Sequence, residues 1–217
     1  MRTVAAGLLA ALVIVSCQST ATFPGQVGSG TRAVEERAPG SFQEIRVEAA
    51  VNASVTIGSK YSVRVAADDN LLDNVITTVD GPRLEIAIRG GVQTRTPVEV
   101  TVVLPTLTAV EATSAGRVEV SGIEADRLAV AGDSAGSAVV TGRVDALDVH
   151  AGSAARLDLR GVEAGRADVQ LDSSAHVWLN VAGDVRGSVT SAAVLTLAGE
   201  AENVGVSTST AGRVVTE

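Results

Sequence analysis

Hydroxyl side chains recur at a nearly constant interval through the C-terminal half of this sequence. Each one opens a Ser-Ala-Gly tripeptide or a close variant, and successive anchors lie 18 to 20 residues apart. A serine becomes a nucleophile when an adjacent base accepts its proton, and no base accompanies all six positions. We therefore predict a structural corner ladder, with hydroxyls bonded to neighbouring backbone, and no catalytic serine. The anchors are Ser114, Ser134, Ser153, Ser173, Ser191 and Thr210.

The two histidines lie near anchor serines in a pattern that suggests a catalytic triad. His150 precedes Ser153 by three residues, and His176 follows Ser173 by three, with Asp172 beside that serine. An odd separation along a strand places two side chains on opposite faces, so neither histidine meets its serine. A metal site would need more ligands converging on one point. We predict exposed histidines, no catalytic residue, no metal and no cofactor.

One acidic run has the residue types of a calcium site. Asp68, Asp69 and Asn70 are consecutive, and Asp73 follows. Carboxylate and amide oxygens suit Ca²⁺, but the run lacks the Gly and Glu spacing of an EF-hand loop. These residues therefore favour a turn at the end of a strand.

Apolar residues alternate on both sides of the anchors, and this alternation predicts the elements that carry them. Val118 and Val120 lie four and six residues after the first anchor, and Val110 lies four before it. A period of two is typical of strands with one buried face. Glycines eight residues after an anchor favour bends there. These glycines are Gly122, Gly142, Gly161 and Gly199.

The fixed repeat predicts an all-β fold, a single-stranded parallel β-helix or β-solenoid. Each rung would contain about 19–20 residues, and rungs would stack about 4.8 Å apart. We predict a solenoid domain over 41–217, with six regular rungs in 106–217 and a less regular N-terminal β region in 41–105. A signal peptide at 1–17 and a flexible tether at 18–40 would precede the domain.

The region 41–105 is β-rich without clear anchors. Residues 45–57 alternate as the repeats do, which predicts a degenerate first rung. Further alternating segments lie at 76–79 and 84–88, separated by Asp80-Gly81-Pro82, which is a turn signal. These segments fit either longer rungs or an antiparallel cap over the first ladder edge.

The N-terminus has the pattern of a bacterial export signal. Arg2 precedes an apolar run of 12 residues from Val4 to Val15, too short to cross a bilayer as a helix. The run ends at Ser16-Cys17, which resembles a lipobox, whose cysteine becomes the lipidated first residue. We predict lipidation of Cys17 and an outer-membrane lipoprotein, with membrane contact through the lipid alone. An ordinary signal peptide cleaved further on, with release to the periplasm or cell surface, is the alternative.

Composition restricts the partners and the core. The chain has 25 acidic and 17 basic residues, a net charge of −8 at pH 7. This excess of negative charge argues against nucleic-acid binding. Aromatic residues make up only 2% of the chain, so the core must be aliphatic. Cys17 is the single cysteine, which excludes an internal disulfide.

Odd positions after each anchor form the outer face of the predicted solenoid. Trp178, the single tryptophan, lies five residues after its anchor. Val139 and Val215 share that offset, and Val194 lies three residues after its own anchor. Tryptophan is enriched at binding hot spots, so we predict a surface contact at these four residues, for a subunit or a glycan. A lone exposed aromatic residue is the alternative.

The order of several segments resembles a known family. Ser41–Val47, Asp69–Thr77, Leu84–Ile86 and Val102–Pro105 precede the serial Ser-Ala-Gly repeats. Together they resemble the head GIN domain family of autotransporter adhesins, found among bacterial secreted proteins and lipoproteins, over residues 41–217. The resemblance implies a right-handed β-helix, a trimeric assembly and an adhesin role, and it brings no catalytic residues.

Three corners depart from the family's pattern by replacing the third residue, glycine, with alanine. Because alanine tolerates positive φ less well, we expect tighter turns or another turn type there. These corners begin at Ser153, Ser173 and Ser191.

Three functions compete on the sequence. The leading hypothesis is an exported cell-envelope solenoid with a non-enzymatic adhesion or scaffolding role, binding a glycan or an envelope protein. A homo-oligomeric structural subunit is the alternative. A carbohydrate-active β-helix enzyme is less favoured, because it needs converging carboxylates. Glu119 and Asp158 share a predicted column but lie two rungs, about 10 Å, apart, with Val139 between them.

Overall fold

The structure, a computed structural model, describes residues 25–217. The predicted signal peptide at 1–17, including Cys17, lies outside the described residues. Over these residues the fold is nearly all-β, and the coils stack in parallel into a β-solenoid of about 5 turns, which confirms the predicted fold class. Within residues 25–217, no helix is long and apolar enough to cross a membrane.

The N-terminal region combines short parallel and antiparallel strands. A single 3-10 helix, Asp69–Asn74, interrupts them. The strands are β1 Gln26–Val27, β2 Arg32–Arg37, β3 Glu44–Val47, β4 Asn52–Ile57, β5 Ser62–Asp68, β6 Val75–Asp80, β7 Arg83–Ile88, β8 Val92–Gln93 and β9 Glu99–Leu104.

From Ala109 onward the chain winds through regular coils. In each coil, one strand segment precedes a corner and another follows it. Both segments pair in parallel with the equivalent segments of the next coil. Some strands are long because they continue from one corner to the next. The strands are β10 Ala109–Ala112, β11 Arg117–Gly132, β12 Ser137–Ala151, β13 Arg156–Leu171, β14 His176–Val181, β15 Asp184–Val189, β16 Val194–Ala198, β17 Asn203–Thr208 and β18 Arg213–Thr216.

Aliphatic side chains fill the interior in columns that run along the stack. In one column the register pairs Val118, Ala138, Leu157, Val177 and Leu195 in turn. All five are at most 1% exposed. Burial of one such large aliphatic side chain stabilises the fold by about 1.5–3 kcal/mol. Because each coil needs a neighbour to complete this burial, stability depends on stacking.

The corners share one unusual backbone conformation. Fourteen described residues other than glycine have positive φ, and all of them lie in pairs at seven corners. The residue after each regular pair donates its N–H to the carbonyl before the pair, as Gly116 does to Thr113 at 2.8 Å. This is the geometry of a type I′ turn. The pairs are Ala49-Ala50, Ser114-Ala115, Ser134-Ala135, Ser153-Ala154, Ser173-Ser174, Ser191-Ala192 and Thr210-Ala211.

The alanine-containing corners do not differ from the others. Ser153 and Ala154 have φ values of 44° and 64°, against 51° and 62° for Ser114 and Ala115. The expectation of another turn type at these corners is therefore wrong. The positive φ falls on the first two corner residues, so the third residue needs no glycine on account of its φ.

Glycines bend the chain on the side opposite the corners. Gly122, Gly142 and Gly199 have φ values of 76°, 144° and 112°, as the spacing predicts. Gly161 does not have a positive φ, so its bend needs no left-handed residue. Gly142 has a second constraint, because a Cβ there would lie 2.1 Å from the carbonyl oxygen of Ile123.

The N-terminal region contains both additional coils and an antiparallel cap. β3 and β4 flank the corner Ala49-Ala50 and pair with β10 and β11, so this segment is a degenerate rung next to the regular coils, but it is not the first rung of the stack. β7 and β9 form a further coil on the outer side of this rung, although they come later in the sequence. β6 then pairs antiparallel with β7, and β5 and β2 continue antiparallel from β9. These last strands cover the first end of the stack.

The flexible tether predicted over 18–40 is wrong for much of its length. β1 pairs with β8, and β2 pairs with β5 over six residues. Arg37 fixes the end of β2, because its guanidinium donates to the carbonyls of Leu72 and Val75 at 2.8 and 2.5 Å. The N-terminal segment is therefore part of the cap.

A buried carboxylate holds this segment to the cap. Asp68 is 0% exposed. It accepts hydrogen bonds from the backbone N–H groups of Gly30, Arg95 and Thr96 at 2.9, 2.8 and 3.2 Å. Burial opposes ionisation of the Asp68 carboxyl, but these donors hold its pKa below the ordinary value. The acidic run is thus a structural junction between a strand and a 3-10 helix.

Candidate ligand-binding face

One flat face of the solenoid carries the predicted contact residues. We call it the tryptophan face, and define it as the outward side chains of the six segments that follow the corners. The parallel register aligns these side chains in columns, one residue per rung. One column is Glu119, Val139, Asp158, Trp178, Thr196 and Val215, and the next is Arg117, Ser137, Arg156, His176, Val194 and Arg213.

Trp178 is half-buried on this face between two polar side chains. The His176 ring lies roughly parallel to it, with 6.1 Å between centroids. The Arg160 guanidinium carbon lies over the indole, 5.9 Å from its centroid, a cation–π contact. His176 precedes Trp178 by two residues, and Arg160 lies two residues beyond its register partner Asp158. The two groups therefore flank the indole from opposite ends of the strand. We call Trp178, His176 and Arg160 together the ridge.

An ion pair fixes the cation of this ridge. Arg160 donates from Nε and Nη2 to the two carboxylate oxygens of Asp158, at 3.0 and 2.7 Å. This hydrogen-bonded pairing holds the pKa of the Asp158 carboxyl below its usual range and raises the pKa of Arg160. Asp158 therefore stays ionised and paired at neutral pH, and it is poorly placed to act as a proton donor.

The four predicted contact residues do not form a continuous apolar patch. Val139 and Val215 are exposed, at 39% and 44%. Val139 is separated from Trp178 by Asp158, and Val215 is separated from it by Thr196. Val194 is half-buried and pairs in register with His176. The four predicted contact residues thus share one face, with polar side chains between them.

Three arginines on the same face are unpaired, and the sequence analysis assigned them no role. Arg117, Arg156 and Arg213 share one column and are exposed. None of them makes a salt bridge within the described chain, whereas nine other arginines there do. Their common offset from the anchors is visible in the sequence, but the lack of a partner is not.

The corner ladder runs through the backbone. Ala115 donates its N–H to the carbonyl of Ser134 at 3.0 Å, and each later corner repeats this bond to the next one. The predicted hydroxyl ladder is therefore corrected to a peptide ladder. One hydroxyl has another partner, because the Oγ of Ser134 donates to the Asp133 carboxylate at 3.2 Å. The neighbouring hydroxyls of Ser153 and Ser134 hold the pKa of the Asp133 carboxyl below its usual value.

The other candidate groups do not converge. His150 is exposed on a segment that precedes a corner, and the Nδ1 of His176 contacts the carbonyl of Ser174 at 3.1 Å. Glu119 and Asp158 lie two strands apart with Val139 between them. Over residues 25–217, no group of three or more His, Cys, Asp or Glu side chains could hold a metal ion.

These observations define the class of the protein as a β-solenoid with flat outer faces. The family profile described as "Putative auto-transporter adhesin, head GIN domain" matches residues 41–201. The chain belongs to this family, as the order of its segments indicates.

Solved structures of three bacterial proteins have the same fold. An adhesin-like protein from Bacteroides fragilis, described as "putative adhesin", is 14% identical, with a TM-score of 0.73 over 89% of this chain and 100% of that one. A Parabacteroides merdae protein with the same description is 14% identical, with a TM-score of 0.61 over 88% and 98%. A Parabacteroides distasonis protein described as "Putative lipid binding protein" is 15% identical, with a TM-score of 0.56 over 88% and 98%. No curated protein sequence matches the chain.

Proposed function

We propose that this protein is an exported cell-envelope adhesin that binds through the tryptophan face and catalyses no reaction. The observation that carries the proposal is the alignment of Trp178, His176 and unpaired arginines on one side of the stacked coils. The indole of Trp178, held between His176 and Arg160, is a preorganised contact for a ligand, which lowers the entropy lost on binding. The family's adhesin description supports the same role.

Export with a lipid anchor completes the proposal. Cys17 lies eight residues before Gly25, where the described chain begins. Eight extended residues span at most about 28 Å, so a lipid on Cys17 would hold the capped end of the solenoid near the membrane. The later coils and Trp178 would then point away from it. Mass spectrometry of the N-terminal peptide tests this: a mature chain that begins with a lipid-modified Cys17 supports the anchor, and a mature chain that begins after Cys17 contradicts it.

Attachment of cells that display the full chain tests the adhesive role. Trp178→Ala should reduce attachment by about tenfold on a surface to which cells with the wild-type protein attach, as truncation of an aromatic hot spot does. Gln170→Ala is the matched control, because Gln170 is exposed on the segment that precedes a corner. Equal attachment by cells with and without the protein would contradict the proposal.

A polysaccharide turnover screen tests the non-enzymatic part. We expect no turnover by the wild-type protein. Turnover that is lost in Glu119→Gln or Asp158→Asn would contradict the proposal and favour a carbohydrate-active enzyme.

Self-association is the competing hypothesis for the same face. Sedimentation velocity of the wild-type protein and of Trp178→Ala separates the two. A monomer in both cases favours an external ligand, and an oligomer that dissociates in Trp178→Ala favours a subunit contact.

A further inference from the structure

Charge is distributed unevenly around the solenoid. The tryptophan face carries four of the eight arginines between residues 106 and 217, but only three of the fifteen acidic residues. The rest of this region is therefore strongly acidic, while the tryptophan face has a slight excess of positive charge. Because this acidic region carries half of its arginines on one face, that face favours a negatively charged partner.

Arg117, Arg156 and Arg213 lie in one column, which we call the arginine column, and their spacing makes the expected partner more specific. Arg117 and Arg156 lie two rungs apart, about 10 Å, and Arg156 and Arg213 lie three rungs apart, about 14 Å. Unpaired and exposed guanidinium groups are the donors that bind carboxylate or sulfate groups in a bidentate manner. The second of these intervals contains His176, which adds another nitrogen donor in the same column.

We propose that the tryptophan face binds a linear acidic polysaccharide, with the arginine column pairing to its carboxylate or sulfate groups. The proposal rests on the adhesive function proposed above and names its ligand class. A sugar residue in an extended glycan has a length comparable to one rung, so a chain laid along the stack brings an anionic group to each arginine at intervals of two or three sugars.

The neighbouring side chains suit a sugar chain. Ser137 lies in the arginine column between Arg117 and Arg156, and Asn180 lies beside the ridge, donating to the carbonyl of Arg160 at 3.4 Å. Hydroxyl and amide groups such as these exchange hydrogen bonds with sugar hydroxyls. The exposed part of the Trp178 indole provides an apolar contact next to them.

The spacing of the cations disfavours a nucleic acid. Double-stranded DNA carries one negative charge per about 1.7 Å, and its binding needs many contacts with phosphates. The tryptophan face offers three unpaired arginines over six rungs, and the surrounding acidic surface repels a polymer of such high charge density. A polymer with one charge per sugar matches the spacing better.

Retention of the full chain on immobilised polygalacturonate, with dextran as the neutral comparison, tests the proposal. The face variant is Arg117→Gln, Arg156→Gln and Arg213→Gln in one chain. The control variant is Arg89→Gln, Arg95→Gln and Arg166→Gln, which also removes three arginines that make no salt bridge in the described structure. Circular dichroism melting establishes that both variants fold.

We expect the wild-type protein to bind polygalacturonate and not dextran. Affinity at low salt should fall about tenfold or more in the face variant, because three exposed ion pairs are lost, and by less than about twofold in the control. Equal losses in both variants would overturn the proposal, as would failure of the wild type to bind polygalacturonate, alginate or heparin. Equally tight binding of duplex DNA, lost in the same variant, would overturn it in favour of a nucleic acid. Cell attachment that persists in the face variant would leave the adhesive function standing and remove this inference alone.

Discussion

At the scale of single residues, the corners carry most of the unfavourable backbone geometry. Each corner holds two residues with positive φ, and neither is glycine. A left-handed L residue costs about 1–2 kcal/mol. The peptide ladder offsets part of this cost, because each bond such as Ala115 to Ser134 contributes about 1 kcal/mol net. The corners therefore persist only while neighbouring coils are in place.

Replacing one alanine that has a positive φ with glycine should remove part of this backbone cost measurably. Ala154→Gly should leave the free energy of unfolding unchanged or raise it by up to about 1 kcal/mol, because glycine accepts the φ of 64° but gains entropy in the unfolded chain. Ala167→Gly in β13 is the matched control. It should lower the free energy of unfolding by about 1–2 kcal/mol, because a buried methyl group is lost. Urea unfolding measures both, and equal destabilisation would contradict the strain argument.

Asp68 should make stability depend on pH. Its pKa is lowered in the folded state, so its contribution is present above the unfolded value of about 3.9 and is lost as the pH falls through the folded value. Asp68→Asn should therefore lower the melting temperature at pH 7, and the gap to the wild type should close in strong acid. Asp145→Asn, at an exposed site, should change little at either pH. A gap of the same size in strong acid would contradict this role.

At the scale of elements, the bends between strand segments depend on glycine for two different reasons. Gly122 has a φ of 76° and open space around its missing Cβ. Gly142, in the next coil, has a φ of 144° and a carbonyl oxygen 2.1 Å from that position. The first bend therefore needs only conformational freedom, and the second also needs room.

This difference predicts unequal costs for one substitution in adjacent coils. Gly122→Ala should lower the free energy of unfolding by about 1–2 kcal/mol through φ alone. Gly142→Ala should cost at least about 1 kcal/mol more, because the backbone of Ile123 must move. Denaturant titration of the two variants compares them, and a larger loss at Gly122 would contradict the geometry.

The sequence predicts the coils better than it predicts the cap. Alternation around each anchor is local, so the buried column through Val118 and Leu157 can be derived from spacing alone. β2 carries no such signal, because its partner β5 lies about 30 residues away and the link depends on the buried Asp68. The sequence also does not predict the outer position of the coil formed by β7 and β9, because its place in the stack does not follow chain order.

The candidate site is likewise only partly predictable from residue spacing. The offsets place Trp178 and the three arginines on one face, because they depend only on the repeat. Whether a guanidinium finds a carboxylate depends on side-chain conformations across neighbouring rungs. Arg160 pairs with Asp158, while Arg156, only four residues earlier in the sequence, has no salt bridge within the described chain. Spacing alone does not distinguish these outcomes.

At the scale of the whole molecule, the fold separates stability from recognition. The aliphatic columns and peptide ladders hold the coils together from within, and the outward side chains are left to vary from rung to rung. This division allows one acidic protein to carry a slightly cationic face without weakening its core. The adhesive role proposed above would use this flat face.

The fluorescence of Trp178 tests most directly whether binding occurs on the tryptophan face. Trp178 is the single tryptophan of the chain, so its emission reports on this face alone. Titration with polygalacturonate should change the emission in a saturable way, over the same concentrations that release the protein from the immobilised polymer. Emission that stays constant while the protein is saturated with polymer would place the binding elsewhere and contradict the account.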